Sequence, residues 1–230
     1  MKTITKVLVG SRLHGLNTED SDYDYRGIHI HELRDVLSPF KTLKNTSWIE
    51  GDVDNTSYEL ADFCKQATHG NATILEVFFS NKIVETSLLA DKMRANWQKF
   101  IDTDKFVLAS RGYAHNQYNK MNLFESAGIN GQERTSKFAI AYVRVLWQCA
   151  EFLETGTFKC QIDDPDIKDF LLTIKPLTVN EIQPHIPRLT EMFMEMQKRV
   201  TDAYLATQYK LKPDINWIER FIHDAYRGKI

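Results

Sequence analysis

The sequence predicts a mixed α+β fold, in which a small mixed sheet with helices is followed by an all-helical C-terminal part. Short apolar runs rich in β-branched residues, which are typical of strands, are confined to the first part of the chain. Beyond a break at residues 102–104, apolar residues recur at helical spacing instead. We therefore expect one domain over residues 1–100 and a helical domain over residues 101–230.

The composition indicates an ordinary globular protein. The 230 residues are 43% hydrophobic and 26% charged, and the formal net charge of -2 argues against a broadly basic nucleic-acid coat. Three cysteines without a CxxC or Cys/His spacing argue against a zinc site and fit a reducing compartment. Neither a signal peptide nor an apolar run of about 18 residues is found. We expect a cytoplasmic protein.

The first strand is expected at Val7–Val9, and Gly10-Ser11 ends it with a turn. A glycine-serine turn at a strand end exposes backbone N–H groups that can bind phosphate. Taken alone, such a pair is usually only a turn. The next two residues of interest, Arg12 and His14, either contact phosphate or face water.

A second strand is expected after Ser21, and it carries Asp22 and Asp24. Residues two apart on a strand point to the same face, so two carboxylates would lie side by side and repel each other. A hard divalent cation with oxygen ligands, such as magnesium, relieves that repulsion. A phosphate-binding turn beside a metal-binding strand favours phosphoryl or nucleotidyl transfer.

A third carboxylate is expected in the acidic segment 50–55, after a strand near Trp48. Thr56 and Glu59 have the spacing of a capping box, which predicts a helix over residues 56–68 with Glu59 as the reciprocal cap. Asp54 would then end the preceding strand, where open α/β sheets place their chemistry. Asp52 is the alternative, since it shares a face with Asp54 if both are extended.

The remaining elements are predicted to be helices. Asn71 caps a helix that carries Glu76, either as a buried support of the site or on the exposed side. The helix over 105–124 has aromatic and basic residues, including Arg111 and Tyr118, that suit either base stacking or a solvated surface. Further helices are expected at 87–97 with Leu88, Leu89, Met93 and Trp97 inward, and at 134–153, 166–174, 188–208 and 214–226.

The stretch GSRLHGLNTEDSDYDYRGIHI resembles the DNA polymerase β-type nucleotidyltransferase superfamily, and more closely its RlaP-like branch of bacteria and phages, named for RNA repair. The resemblance implies a nucleotidyltransferase core in the first domain and a helical domain that closes the nucleotide cleft. It implies that Gly10 and Ser11 hold the triphosphate and that Asp22 and Asp24 hold two magnesium ions. Arg12, in the same loop, is a further candidate nucleotide-binding residue. It favours Asp54 over Asp52 as the third ligand.

The resemblance extends to the longest helix, where Lys137 and Arg144 are seven apart and so share one stripe. The branch has a lysine, a histidine four residues later and an arginine three after that. This chain has Ala141 at the histidine position, which leaves the role of that histidine unfilled. Lys137 and Arg144 are the expected nucleotide-binding residues of the second domain.

The expected function is transfer of a nucleoside monophosphate from a nucleoside triphosphate, with ATP favoured, to an acceptor hydroxyl. Magnesium, or manganese in its place, is the expected cofactor, and an RNA end is the acceptor that the resemblance implies. The alternatives are AMP transfer to a protein or small-molecule acceptor, and a nucleotide-binding module without catalysis. The expected location is the cytoplasm of a bacterium, or of an infected host if a phage encodes the protein.

Overall fold

A computed structural model describes residues 1–51, 53–122 and 135–229 of the chain. It confirms the mixed fold: five strands form one sheet in the order β3-β4-β2-β1-β5. The β2–β4 pair is parallel, and the other three pairs are antiparallel. The strands are β1 (Lys2–Val9), β2 (Tyr23–Ile30), β3 (Thr46–Glu50), β4 (Val53–Glu59) and β5 (Ile83–Glu85).

Helices account for most of the other described residues. The early ones are α1 (Gly10–His14), α2 (Leu33–Val36), α3 (Leu60–Thr68), α4 (Ala72–Phe79) and α5 (Leu88–Ala95), followed by a 3₁₀ turn at Trp97–Phe100. The later ones are α6 (Thr103–Asn122), α7 (Thr135–Thr155), α8 (Pro165–Ile174), α9 (Val179–Ile182), a 3₁₀ turn (Gln183–His185), α10 (Ile186–Ala206) and α11 (Ile215–Tyr226). None of the described helices is long and apolar enough to cross a membrane.

Helices α3, α4 and α5 cover one face of the sheet. Ile28 of β2 lines a small cavity together with Phe63, Phe78 and Met93 from these helices. Because successive side chains of a strand point to opposite faces, Asp24 shares the covered face with Ile28. Tyr23 and the other odd-numbered residues of β2 therefore belong to the opposite face.

The sequence predicted a helix that begins at Thr56, and this predicted start is wrong. Strand β4 continues to Glu59, and the buried positions Asn55, Ser57 and Glu59 alternate with more exposed ones, which is the period of a strand. The helix begins at Leu60. Glu59 is its N-cap, because its carboxylate accepts hydrogen bonds from the N–H groups of Ala61 and Asp62 at 2.8 and 3.3 Å.

The helix predicted over 87–97 is confirmed in α5, but not all of its expected inward residues are buried. Leu89 and Met93 are buried, whereas Leu88 is 80% exposed. Ser87 caps the helix through its hydroxyl, so Leu88 is the first helical residue and lies at the solvent end. Trp97 falls in the following 3₁₀ turn and packs edge-on against Phe79, with ring centroids 5.0 Å apart.

The chain divides into two compact units, and the division falls inside α6. The first unit contains Met1–Lys105 together with the segment that begins at Leu211, and the second is Phe106–Lys210. Helix α11 thus belongs with the sheet and not with the preceding helices. Its Trp217 and Phe221 lie edge-on to Phe100, at centroid distances of 5.7 and 6.4 Å.

In the second unit, α7 packs against α10, and the Tyr142 hydroxyl donates to the Leu189 carbonyl at 2.7 Å. The aromatic and basic face expected on α6 is used within this unit. Tyr118 stacks on Phe193 with centroids 4.1 Å apart, and Arg111 donates to Gln197 at 2.9 Å and to the Thr201 hydroxyl. One face of the Tyr118 ring is therefore covered by Phe193.

Candidate active site

The glycine-serine turn lies against the second aspartate. Val9, the last residue of β1, is the register partner of Asp24, and α1 begins at the next residue, Gly10. Gly10 has a φ of +67°, and a Cβ placed there would overlap the Asp24 carboxylate and lie 2.8 Å from its Cγ. Only glycine combines this backbone conformation with such a close approach. The two parts of the sequence motif therefore form one local structure.

Two of the three expected carboxylates are neighbours across a strand pair. Asp24 and Asp54 are register partners in the parallel β2–β4 pair, so their side chains leave the sheet on the same face. The sequence predicted Asp54 at the end of a strand that precedes a helix. In the structure Asp54 lies near the start of β4 instead. It reaches Asp24 because β2 and β4 run in the same direction and their first residues meet at one edge.

The electrostatics of Asp24 show how close the acidic groups are. Its pKa is raised, first by burial, which disfavours the charged carboxylate, and further by the negative charges of Asp54, Asp22 and Glu76. Arg26 acts in the opposite direction and lowers that pKa. Asp22 lies just before β2, and both Asp22 and Asp54 are exposed. The site thus concentrates negative charge around a half-buried carboxylate.

This donor set suits a hard divalent cation, which prefers carboxylate oxygens and would relieve the repulsion that raises the Asp24 pKa. No group of three or more His, Cys, Asp or Glu side chains among residues 1–51, 53–122 and 135–229 is already arranged to hold a metal ion. The alternative ligand, Asp52, lies outside the described residues.

Arg12 links α1 to the loop that leads into β2 by hydrogen bonds. Its guanidinium donates to the Ser21 carbonyl at 2.7 Å and to the Asp22 carbonyl at 3.3 Å. It also lies over the ring of Tyr23, with Cζ 3.9 Å from the centroid. These contacts fix the backbone that carries Asp22. A phosphate contact by Arg12 stays a prediction.

A buried ionic cluster lies behind the carboxylates, and sequence reasoning did not assign it. Glu76 of α4 is 1% exposed, and its two oxygens contact His14 Nε2 at 2.9 Å and Arg26 Nη1 at 2.8 Å. Arg26 also donates to the Thr73 carbonyl at 3.0 Å. Of the two positions considered for Glu76, the buried one is therefore found. His14 faces this cluster and not water.

The signal for this cluster was present but incomplete. Arg26 follows Asp24 by two residues on a strand, so the sequence placed them on one face. Nothing local indicated that Glu76, 50 residues later, would bind Arg26.

The two basic residues of α7 differ in their surroundings. Lys137 is exposed, whereas Arg144 is buried and donates to Gln148 Oε1 at 2.9 Å. Gln148 in turn donates to the Cys160 carbonyl at 3.2 Å, so Arg144 is part of an internal network of the second unit. The helix stripe that Lys137 and Arg144 share by their spacing is therefore exposed at Lys137 and buried at Arg144.

Comparison with known proteins gives a family match over nearly the whole chain. The RlaP family model, described as an RNA repair pathway DNA polymerase beta family, matches residues 1–222. An Enterobacteria phage T4 protein, called an uncharacterized 38.9 kDa protein in the nrdC-mobD intergenic region, is 30% identical over 173 residues, or 69% of this chain and 49% of that protein. The chain therefore spans about half the length of this relative.

Among solved structures, a nucleotidyltransferase-like protein from Exiguobacterium sibiricum 255-15 aligns with a TM-score of 0.38 and 14% identity, covering 88% of this chain and 72% of that one.

Proposed function

This chain belongs to the RlaP family of the RNA repair pathway, part of the DNA polymerase beta family, and we propose on that premise that it is a metal-dependent nucleotidyltransferase. It moves a nucleoside monophosphate from a nucleoside triphosphate, with ATP favoured, to a hydroxyl at an RNA end: the acceptor oxygen bonds to the α-phosphorus, and pyrophosphate leaves. The observation that carries the proposal is the meeting of Gly10, Asp24 and Asp54 at one edge of the sheet.

In this proposal Asp22, Asp24 and Asp54 hold divalent ions, magnesium or manganese, which when bound supply charge neutralisation at the phosphates and acidify the acceptor hydroxyl. Gly10 and Ser11 orient the triphosphate through their backbone and hydroxyl donors. Asp54, exposed beside Asp24, accepts the proton of the acceptor hydroxyl at a carboxylate oxygen. Lys137 and Arg144 as phosphate contacts follow from the family resemblance alone.

The supporting cluster has a defined part in this proposal. Arg26, which Glu76 binds, lowers the Asp24 pKa and so favours the ionised Asp24 that binds a cation. Glu76 itself raises that pKa. Burial and the neighbouring carboxylates act more strongly in the other direction, and the net pKa is raised. Because the folded protein then holds the Asp24 proton more tightly than the unfolded chain, stability is lost as the pH rises above the ordinary aspartate range.

The test is a transfer assay with each α-labelled nucleoside triphosphate, magnesium, and either total RNA or cell-lysate protein. We expect Asp24→Asn to lower labelling of RNA about 100-fold or more, while its melting temperature at pH 7 is equal to or above that of the parent. Asp20→Asn is the matched control, since Asp20 is an exposed aspartate outside the carboxylate pair, and it should label RNA normally.

Undiminished transfer by Asp24→Asn would refute the proposed role of this carboxylate. Label that appears on protein and depends on Asp24 would show AMP transfer to a protein instead. Nucleotide binding without label on either substrate would favour a small-molecule acceptor or a non-catalytic module.

A further inference from the structure

The sheet face opposite α3, α4 and α5 carries a pair of parallel aromatic rings. Tyr23 and Tyr25 project from β2 on this face, and their rings are nearly parallel, at 14°, with centroids 6.5 Å apart. Tyr23 is 42% exposed. Stacked bases are separated by about 3.4 Å, so a flat base between two rings needs about twice that distance. The spacing of the two tyrosines is close to this requirement.

A cation lies over each of the two rings. Arg12 Cζ is 3.9 Å from the Tyr23 centroid, and Lys6 Nζ is 4.5 Å from the Tyr25 centroid. Arg12 is tied to the carbonyls that precede Tyr23, whereas Lys6 is the register partner of Gly27, which follows Tyr25. The residues that supply the cations are therefore anchored toward opposite ends of the pair along β2.

The aromatic surface continues across the sheet. Trp48 of β3 is the register partner of Asn55 in β4, and Asn55 is the partner of Tyr25 in β2. Directly paired residues point to the same face, so Trp48 lies on the same face two strands away, about 10 Å from Tyr25. Trp48 is 44% exposed. This surface is wider than one nucleotide, which argues for a strand of several nucleotides and not for a mononucleotide.

We propose that the exposed rings on this face bind bases of the single-stranded RNA acceptor, with one base between Tyr23 and Tyr25 and a neighbouring base on Trp48. The assignment of RNA as the strand rests on the function proposed above. Aromatic platforms with nearby cations are a general way to bind single strands, because every base has a face that stacks and every linkage carries a negative charge. Lys6 supplies a cation, since it forms no ion pair with a described residue.

The position of the platform relates it to the carboxylates. Tyr23 lies between Asp22 and Asp24 in the chain, and its side chain leaves β2 on the face opposite that of Asp24. A strand seated on the tyrosines is therefore held at the edge of the sheet where Asp24 and Asp54 meet. Tyr23 is a positioning residue in this proposal, because it touches the acceptor strand and not the reacting phosphate.

The test is equilibrium binding of a fluorescent single-stranded oligoribonucleotide in EDTA without nucleotide, so that no transfer takes place. We expect Tyr23→Ala and Trp48→Ala each to weaken binding about tenfold or more. Tyr23→Phe keeps the ring and should stay within about twofold of the parent. Tyr113→Ala removes a similarly exposed ring, 41% exposed on α6, and should leave binding unchanged.

A second readout does not depend on affinity. Binding of RNA should quench the tryptophan fluorescence of the parent protein, and Trp48→Phe should remove most of that quenching. Melting curves of each variant establish that the fold is retained. If one of the two variants, Tyr23→Ala or Trp48→Ala, does not fold, the other still tests the proposal.

The platform is refuted if the parent protein does not bind the oligonucleotide, or if Tyr23→Ala and Trp48→Ala bind it as tightly as the parent. It is also refuted if Tyr23→Ala loses ATP binding and keeps RNA binding, because the space would then hold the base of the triphosphate. RNA binding that depends on Tyr23, in a protein that transfers no nucleotide, would support the platform and overturn the proposed function alone.

Discussion

Gly10 connects the turn after β1 to the carboxylate of β2 at the scale of a single residue. Its φ of +67° is in the region that favours glycine, and the space where a side chain would go is filled by Asp24. The position is thus restricted twice, by backbone conformation and by contact. A substitution here would displace Asp24, and with it the arrangement of Asp24 beside Asp54.

We expect Gly10→Ala to lower the free energy of unfolding by about 1–3 kcal/mol and to lower transfer more strongly than its stability loss explains. Gly51→Ala separates the two causes, because Gly51 also has a positive φ, +61°, but has nothing within 4 Å of its missing Cβ. That control should cost only about 1 kcal/mol. Urea denaturation and the transfer assay measure both. Equal losses in the two variants would show that the Asp24 contact is unimportant.

For single residues, the sequence predicted which side chains form the site better than it predicted their long-range contacts. The spacing of Asp22 and Asp24 indicated neighbouring carboxylates because it depends only on the geometry of one strand. The contacts of Glu76 with His14 and Arg26 span 62 and 50 residues, and no local pattern encodes them. Asp54 was chosen for a location before a helix, yet the structure places it beside Asp24 through the pairing of β2 with β4.

Helix ends are the features of the elements that the sequence predicted most closely. Asn71 was expected to cap α4, and its Oδ1 accepts a hydrogen bond from the Thr73 N–H at 3.0 Å. Gly156, with a φ of +72°, follows the end of α7, where glycine is the common residue. Caps are recognisable because donor and acceptor are two or three residues apart. The choice between strand and helix at Thr56 depended on a distant partner strand, and there the prediction was wrong.

We expect Asn71→Ala to lower the free energy of unfolding by about 1 kcal/mol, because the first turn of α4 loses its side-chain acceptor. Asn71→Ser restores an acceptor at the same place and should recover most of the loss. Chemical denaturation measures both variants. Since α4 carries Glu76, hydrogen exchange of the α4 amides should report faster opening in Asn71→Ala. Identical unfolding curves for Asn71→Ala and the parent would contradict the capping role.

The division of the whole molecule differs from a simple N-terminal and C-terminal separation. The sequence predicted helix α11 from its apolar spacing, but spacing gives only the buried face and not the partner of that face. The partner is the first unit: Leu211 exchanges hydrogen bonds with Thr103 at 3.1 and 3.0 Å, and Lys212 pairs with Asp102 at 3.0 Å. The expected roles of the two domains stay predictions.

We expect Phe221→Ala to lower the free energy of unfolding of the first unit by about 3–5 kcal/mol, because Phe221 is 3% exposed and packs with Phe100 and Trp217. Phe40→Ala is the control, since Phe40 is 94% exposed, and it should change stability by less than about 0.5 kcal/mol. Hydrogen exchange resolves the units. Loss of protection in α7 and α10, with β1 and β2 unaffected, would contradict the assignment of α11 to the first unit.

The contribution of α11 to the first unit has a consequence for biosynthesis. Domains generally fold as units, the N-terminal one first, while the chain is still growing on the ribosome. Here the sheet is translated early, but Trp217 and Phe221 are translated only after all of residues 106–210. Until α11 is translated, the surface around Phe100 stays uncovered. The second unit can therefore fold before the first unit has all of its residues.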